Sequence, residues 1–141
     1  GVSSLDLVAF PARWTDRLIV STVDARRGEI FYALYRRVPG GVQRVAPPAL
    51  AGPGELADQL VALGEDALIV GDGGQRHEDV LGEIQGVELA REGFRFPGAG
   101  ALVELAHPRA LREEFVPAWE ITPTYLREPD AQPNWQERPD R

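Results

Sequence analysis

Between residues 17 and 37 the chain holds two runs dominated by β-branched and aromatic residues, "RLIVSTVDA" and "EIFYALYRR". A short Gly-containing turn separates them, and the pair predicts an antiparallel hairpin. "GVQRVAPPAL" follows the Pro39-Gly40-Gly41 break and predicts a third strand over 42–46, ended by Pro47-Pro48. Three strands joined by short connections form a meander. The period then changes. After Gly52-Pro53-Gly54, Leu56, Leu60 and Leu63 recur at i, i+4 and i+7, which puts them on one helical face. Gly64 ends that helix. "ALIV" (67–70) is a continuous apolar run leading into "GDGG", the pattern of a buried parallel strand. A weaker helix is predicted over 75–84, with Val80, Leu81 and Ile84 inward. "VELA" (87–90) reads as one more strand, and 99–106 as a helix stopped at His107-Pro108.

The resulting order is β-β-β-α-β-α-β-α. This is the order of one lobe of the actin-like ATPase (ribonuclease H-like) fold, an α/β lobe with a five-stranded mixed sheet. In that fold nucleotide binds in the cleft between two such lobes. An α/β sheet of another topology is the alternative. From Pro117 onward the chain carries five prolines and few apolar residues, so 1–127 is expected to be the lobe. Residues 128–141 are expected to be a proline-rich tail, packed through Trp135 if at all.

Composition removes more chemistry than it offers. The chain has no cysteine, which excludes disulfides, thiolate nucleophiles and zinc–thiolate sites. All 15 basic residues are arginine, so there is no Schiff-base lysine and no P-loop lysine. Serine occurs only at 3, 4 and 21, outside any G-x-S-x-G elbow. His77 and His107 have no second ligand at metal spacing, and His77 reads as a surface residue. The adjacent pairs Glu78/Asp79 and Glu113/Glu114 diverge on a helix and cannot work together. No catalytic residue and no metal ligand is expected.

Charge is uneven. Residues 13–44 carry seven arginines against Asp16, Asp24 and Glu29, a net of +4 in a chain of −7. The hairpin tip, "DARRGE", belongs to this basic stretch. A solvated turn needs only Gly and a polar residue or two, so Arg26, Arg27 and Glu29 are candidates for a partner contact. In an actin-like lobe the first hairpin supplies a phosphate loop, an acidic residue followed by small residues and Gly. Asp24, Ala25 and Gly28 stand at such a loop here, although the two arginines crowd it. Gly71, Asp72 and Gly73 of "VGDGG" follow a buried strand, where this fold lays backbone against adenosine. Both stretches also have a plain reading, as a solvated tip and a tight βα turn.

Four stretches together resemble one known family in matching order: "GVSSLDLVAF", "DARRGEIFYALYR", "LIVGDGGQRHEDVL" and "PTYLREPDAQPNW". They resemble the C-terminal part of the TsaB family of tRNA threonylcarbamoyladenosine (t6A) biosynthesis proteins, also described as glycoprotease-like, peptidase M22-type proteins. The resemblance implies a non-catalytic, actin-like paralogue of TsaD, the subunit that carries the metal and transfers threonylcarbamoyl to adenosine 37 of tRNA. It implies a TsaD-type and a TsaE-type partner, a cytoplasmic setting, and no direct contact with nucleic acid or membrane. No cofactor is expected in the chain itself. ATP or ADP would bind only at a cleft shared with a further lobe or a partner. The rival expectation is an M22-type peptidase or a phosphotransferase with its active residues elsewhere.

In that family "GVSSL" lies near the end of the N-terminal lobe, so the chain is expected to be a C-terminal lobe without its companion. Val2, Leu5, Leu7, Val8 and Phe10 would then lack a partner. The expected remedies are self-association, giving a homodimer, or folding of the first ten residues back over the exposed strip.

Overall fold

The two β-branched and aromatic runs form the hairpin they predict. In a computed structural model, which describes residues 1–123, β1 (Leu18–Asp24) and β2 (Ile30–Val38) pair antiparallel from Ile19↔Tyr35 to Asp24↔Ile30. β3 (Gly41–Arg44) pairs with the far half of β2, completing the meander. β4 (Ala49–Ala51), which the pattern did not announce, pairs with Ile30–Tyr32 of the same strand. Pro47-Pro48 does interrupt the edge, but the chain then returns to the same side of β2. The two short strands therefore lie end to end, giving six strands in five positions across the sheet.

α2 (Pro53–Leu63) carries the chain over the sheet to β5 (Ala67–Val70), which lies parallel to β1. β6 (Val87–Leu89) then joins β5 in parallel. Pro53 suits the first turn of α2, where its missing N–H costs nothing. Gly64 closes the helix in the left-handed region at φ +62, its N–H reaching the Leu60 and Val61 carbonyls. Leu56 and Leu60 are buried, whereas Leu63, in the last turn, is exposed.

Each face of the sheet has its own core. Leu18, Val20, Ile30, Tyr32, Leu34 and Ile69 pack beneath Leu56 and Leu60 of α2 and beneath Leu81. Full burial of a leucine such as Leu56 stabilises by about 1.5–3 kcal/mol. On the other face Ile19, Ala33, Tyr35 and Val70 are covered by α1 (Ser4–Ala9) and the 3₁₀ turn Phe10–Ala12. Leu5, Val8, Ala9 and Phe10 are buried there, so the opening residues do fold back over the sheet. This helix precedes the first strand and was missing from the predicted order.

Two later helices depart from expectation. The predicted helix over 75–84 is divided into α3 (Asp72–Arg76) and α4 (Glu78–Leu81) at His77. His77 donates its N–H to the Gly74 carbonyl while its own carbonyl accepts from Val80 and Leu81, which restarts the helix on a new axis. Leu81 is buried, with Val80 and Ile84 half-buried. α5 (Ala99–Leu111) does not stop at His107-Pro108. Proline removes only its own donor, and the Pro108 carbonyl still accepts from Arg112. Only Ala101 of this helix is buried, leaving Leu102, Val103 and Leu111 exposed. Among the described residues no helix is long and apolar enough to cross a membrane. The closing "TYLR" segment, Trp135 and the boundary at 128 lie outside the described residues.

Candidate functional site

The hairpin tip is built from three successive residues at positive φ: Arg26 at 66°, Arg27 at 54° and Gly28 at 76°. Arg27-Gly28 has the φ signs of a type I′ turn, which matches the twist of paired strands. Glu29 donates its N–H to the Arg26 carbonyl at 3.0 Å, and Ala25 donates to Glu29 at 3.0 Å. Glycine takes this conformation freely. Each arginine is held in it at a cost of about 1–2 kcal/mol. What holds Arg26 is Asp24. Its Oδ1 accepts the Arg26 N–H at 3.0 Å, an Asx turn, and its Oδ2 accepts from Arg76 at 2.8 Å. Asp72 in turn accepts the Asp24 N–H at 3.1 Å.

Beside this tip lies an open cleft of about 590 Å³, walled by Asp24, Asp72, Gln75 and Arg76 and, opposite, by Glu92 and Arg95. Arg95 pairs with Glu92 at 3.0 Å, while its Nε is buried without a hydrogen-bond partner. His77 Nε2, also buried, lacks a partner too, so the ring is more enclosed than a surface histidine.

Asp24 and Asp72 thus come together from stretches 48 residues apart in sequence. The glycines play a different part. Gly71, at φ +101, brings the turn so close to β1 that a Cβ would stand 1.8 Å from the Thr22 carbonyl oxygen. A Cβ on Gly74 would lie 2.3 Å from Ile69 Cγ2, and one on Gly73 would crowd Val23 and Ile30. These glycines let α3 lie against the sheet, which is the plain reading of "GDGG". Gly71 and Gly73 are buried, and Gly28 stands apart at the tip with nothing within 4 Å of where its Cβ would be.

Residues not singled out from sequence hold this corner. Thr22, fully buried, donates to the Val70 carbonyl at 2.7 Å and accepts the Gly74 N–H at 2.8 Å. Ser21, equally buried, donates to the Leu5 carbonyl at 2.8 Å and so ties α1 to the sheet. It has no access to a substrate. A polar pair inside the apolar run "LIVSTV" was the available signal. The spacing of Asp72 and Arg76, one helical turn, was the signal for the ion-pair wall. Tyr35 donates to Asp6 at 2.6 Å, and Arg44 donates to both Asp6 and the Tyr35 hydroxyl. Burial, then the Asp6 hydrogen bond, push the Tyr35 hydroxyl well above the usual tyrosine range.

The basic stretch is mostly matched by carboxylates drawn from other elements. Arg13 meets Glu104 at 3.0 Å, Arg17 meets Glu88 at 2.6 Å and Arg36 meets Glu65 at 2.6 Å. Arg37 meets Asp16 at 3.1 Å. Arg17, Arg36 and Arg37 sit at the end of the hairpin opposite Arg26 and Arg27, so the positive charge is divided rather than gathered in one patch. Among the described residues no group of three or more His, Asp or Glu could hold a metal ion. The site is a set of mutually paired carboxylates and guanidiniums, an arrangement suited to presenting a surface.

Comparison with known proteins adds a relative. The tRNA threonylcarbamoyladenosine biosynthesis protein TsaB of Bacillus subtilis (strain 168) is 25% identical over 138 residues, which is 96% of this chain and 58% of that protein. The chain is therefore similar to that TsaB along nearly all of its own length. No family model matches it. Two solved structures from Pseudomonas aeruginosa, YeaZ and an uncharacterised protein with similarity to peptidase YeaZ, each superpose with a TM-score of 0.66 at 24% identity. Each match covers 89% of this chain and 57% of the other. The chain therefore has the mixed α/β lobe that its element order predicted, similar in fold to one part of YeaZ. It spans less than two-thirds of the length of the relatives it matches.

Proposed function

We propose that this chain acts in t6A modification as a non-catalytic accessory subunit. It supports threonylcarbamoyl transfer to adenosine 37 of tRNA by binding a TsaD-type catalytic subunit, in a cytoplasmic assembly that includes a TsaE-type ATPase. The observation that carries this reading is the likeness to a t6A biosynthesis protein along 96% of the chain. The tip supports the mode of action: two arginines in a conformation unfavourable to them, the first held by a carboxylate hydrogen bond, suit a contact better than a solvated turn. Any nucleotide in the neighbouring cleft would be shared with a partner. Asp24 and Asp72 line that cleft, while Gly71 and Gly73 face β1.

The test uses the chain with the TsaD-type and TsaE-type subunits of the same genome, a tRNA substrate and a threonylcarbamoyl donor, with modified adenosine measured by mass spectrometry. The chain is expected to stimulate transfer while performing none alone. Reversing the tip charges (Arg26→Glu with Arg27→Glu) is expected to weaken binding to the catalytic subunit at least about tenfold without lowering the thermal midpoint, since exposed substitutions of this kind change stability little. Transfer or peptide cleavage by the isolated chain would overturn the accessory role. Unchanged binding by the reversed tip would remove the contact from this surface.

A further inference from the structure

The polypeptide after Val70 reaches the hairpin at three levels. At the base, Thr22 Oγ1 accepts the Gly74 N–H at 2.8 Å and donates to Val70, which roots α3 in the core. In the middle, Asp72 accepts the Asp24 N–H at 3.1 Å. At the top, Arg76 donates to Asp24 Oδ2 at 2.8 Å, leaving Oδ1 to accept from Arg26. The two ends of that ion pair differ. The Asp24 side chain is only 10% exposed and the Arg76 side chain 63%. A nearly buried carboxylate depends on its partner for orientation, because little water replaces it.

We propose that α3 clamps the hairpin tip, with Arg76 and Asp72 as positioning residues. Asp72 holds the Asp24 backbone and Arg76 its carboxylate, which keeps Arg26 left-handed and sets the pose in which Arg26 and Arg27 meet an acidic surface of the partner. The proposal rests on the tip being the partner contact. An arginine at positive φ relaxes to other turns unless a hydrogen bond selects the conformation. Oδ1 of Asp24 supplies that bond only while Oδ2 is anchored. Without Arg76 the carboxylate loses the donor that fixes its torsion, and Oδ1 is no longer held on the Arg26 N–H. The fraction of tips in the binding pose then falls, and apparent affinity falls with it in proportion.

The test compares the chain with Arg76→Gln, Arg76→Lys and Asp72→Ala variants. Residues at positive φ give strong intraresidue amide–Hα NOEs, so NMR reads the Arg26 and Arg27 conformations directly without any partner. Titration with the TsaD-type subunit reads affinity, and thermal unfolding confirms that each variant is folded. Arg76→Gln and Asp72→Ala are expected to weaken the Arg26 NOE. If the competent fraction drops to about a tenth, Arg76→Gln weakens binding about tenfold. Lysine at 76 restores both readouts, since a single charged donor suffices for Oδ2. Unchanged NOEs in Arg76→Gln and Asp72→Ala overturn the clamp, whatever binding does. NOEs that weaken with affinity unchanged overturn the link to the partner instead, and with it the reading of the tip as the contact.

Discussion

Replacing Gly71 with alanine should be among the most damaging single changes in the chain. The residue sits at φ +101 and ψ 168, a region essentially reserved for glycine, where a side chain costs about 1–3 kcal/mol. The added Cβ would lie 1.8 Å from the Thr22 carbonyl oxygen, so the turn must retreat by more than about 1 Å to reach ordinary contact. That retreat pulls Gly74 and Val70 away from Thr22, whose two buried hydrogen bonds contribute about 1 kcal/mol each and more if their groups are left unsatisfied. Together the loss comes to about 4 kcal/mol, a large part of the roughly 5–15 kcal/mol that stabilises a domain. Gly28→Ala is the control. Its φ is +76, but nothing lies within 4 Å of the new atom, so it carries backbone strain alone, about 1 kcal/mol. Urea unfolding followed by far-UV circular dichroism, with the slope m checked for constancy, compares the two. Equal losses would refute the argument that close approach, rather than backbone freedom, demands glycine at 71.

Tyr35→Phe should cost about 1–2 kcal/mol by removing the hydroxyl shared by Asp6 and Arg44, read as a lower urea midpoint. The raised folded-state pKa of Tyr35 contributes stability that is complete below about pH 10 and is lost as pH climbs through the raised value. A pH series of unfolding curves should therefore steepen in its decline above pH 10 for the wild type more than for Tyr35→Phe, and ultraviolet titration should show a late-ionising tyrosine that this substitution removes. Thr22→Val should destabilise by about 2 kcal/mol, because a carbonyl and an N–H both lose their partner, whereas Thr22→Ser, which keeps the hydroxyl, should lose less; calorimetry of the pair decides.

What the sequence disclosed followed from local periodicity. The β-branched and aromatic runs at 18–23 and 30–35 report a buried sheet, and a Gly-containing turn joins neighbours, so the meander was legible. The unbroken run 67–70 showed a strand covered on both sides. α1 was harder to see, because Leu5, Val8 and Ala9 mark a helical face only about two turns long. β4 was hidden behind Pro47-Pro48, which ends one pairing without forbidding the next. The break at His77 has no composition signal and shows only in the hydrogen bonds on either side of that residue. At the site, Asp24 and Asp72 were visible as acids in turns. Their juxtaposition, and the parts played by Thr22 and Arg76, depend on β5 lying beside β1, which no local pattern encodes.

The edges of the sheet have a consequence for the protein at high concentration. One margin is divided between β3 and β4, with Pro47-Pro48 in the gap, and the other is the three-residue β6. Neither offers a long, flat row of unpaired amides on which a foreign strand could template itself. Proline supplies no donor, and three residues make too brief a ladder to seed fibril growth. Exposed apolar groups such as Trp119, Phe115 and Val103 can therefore draw copies together without converting them into cross-β deposits.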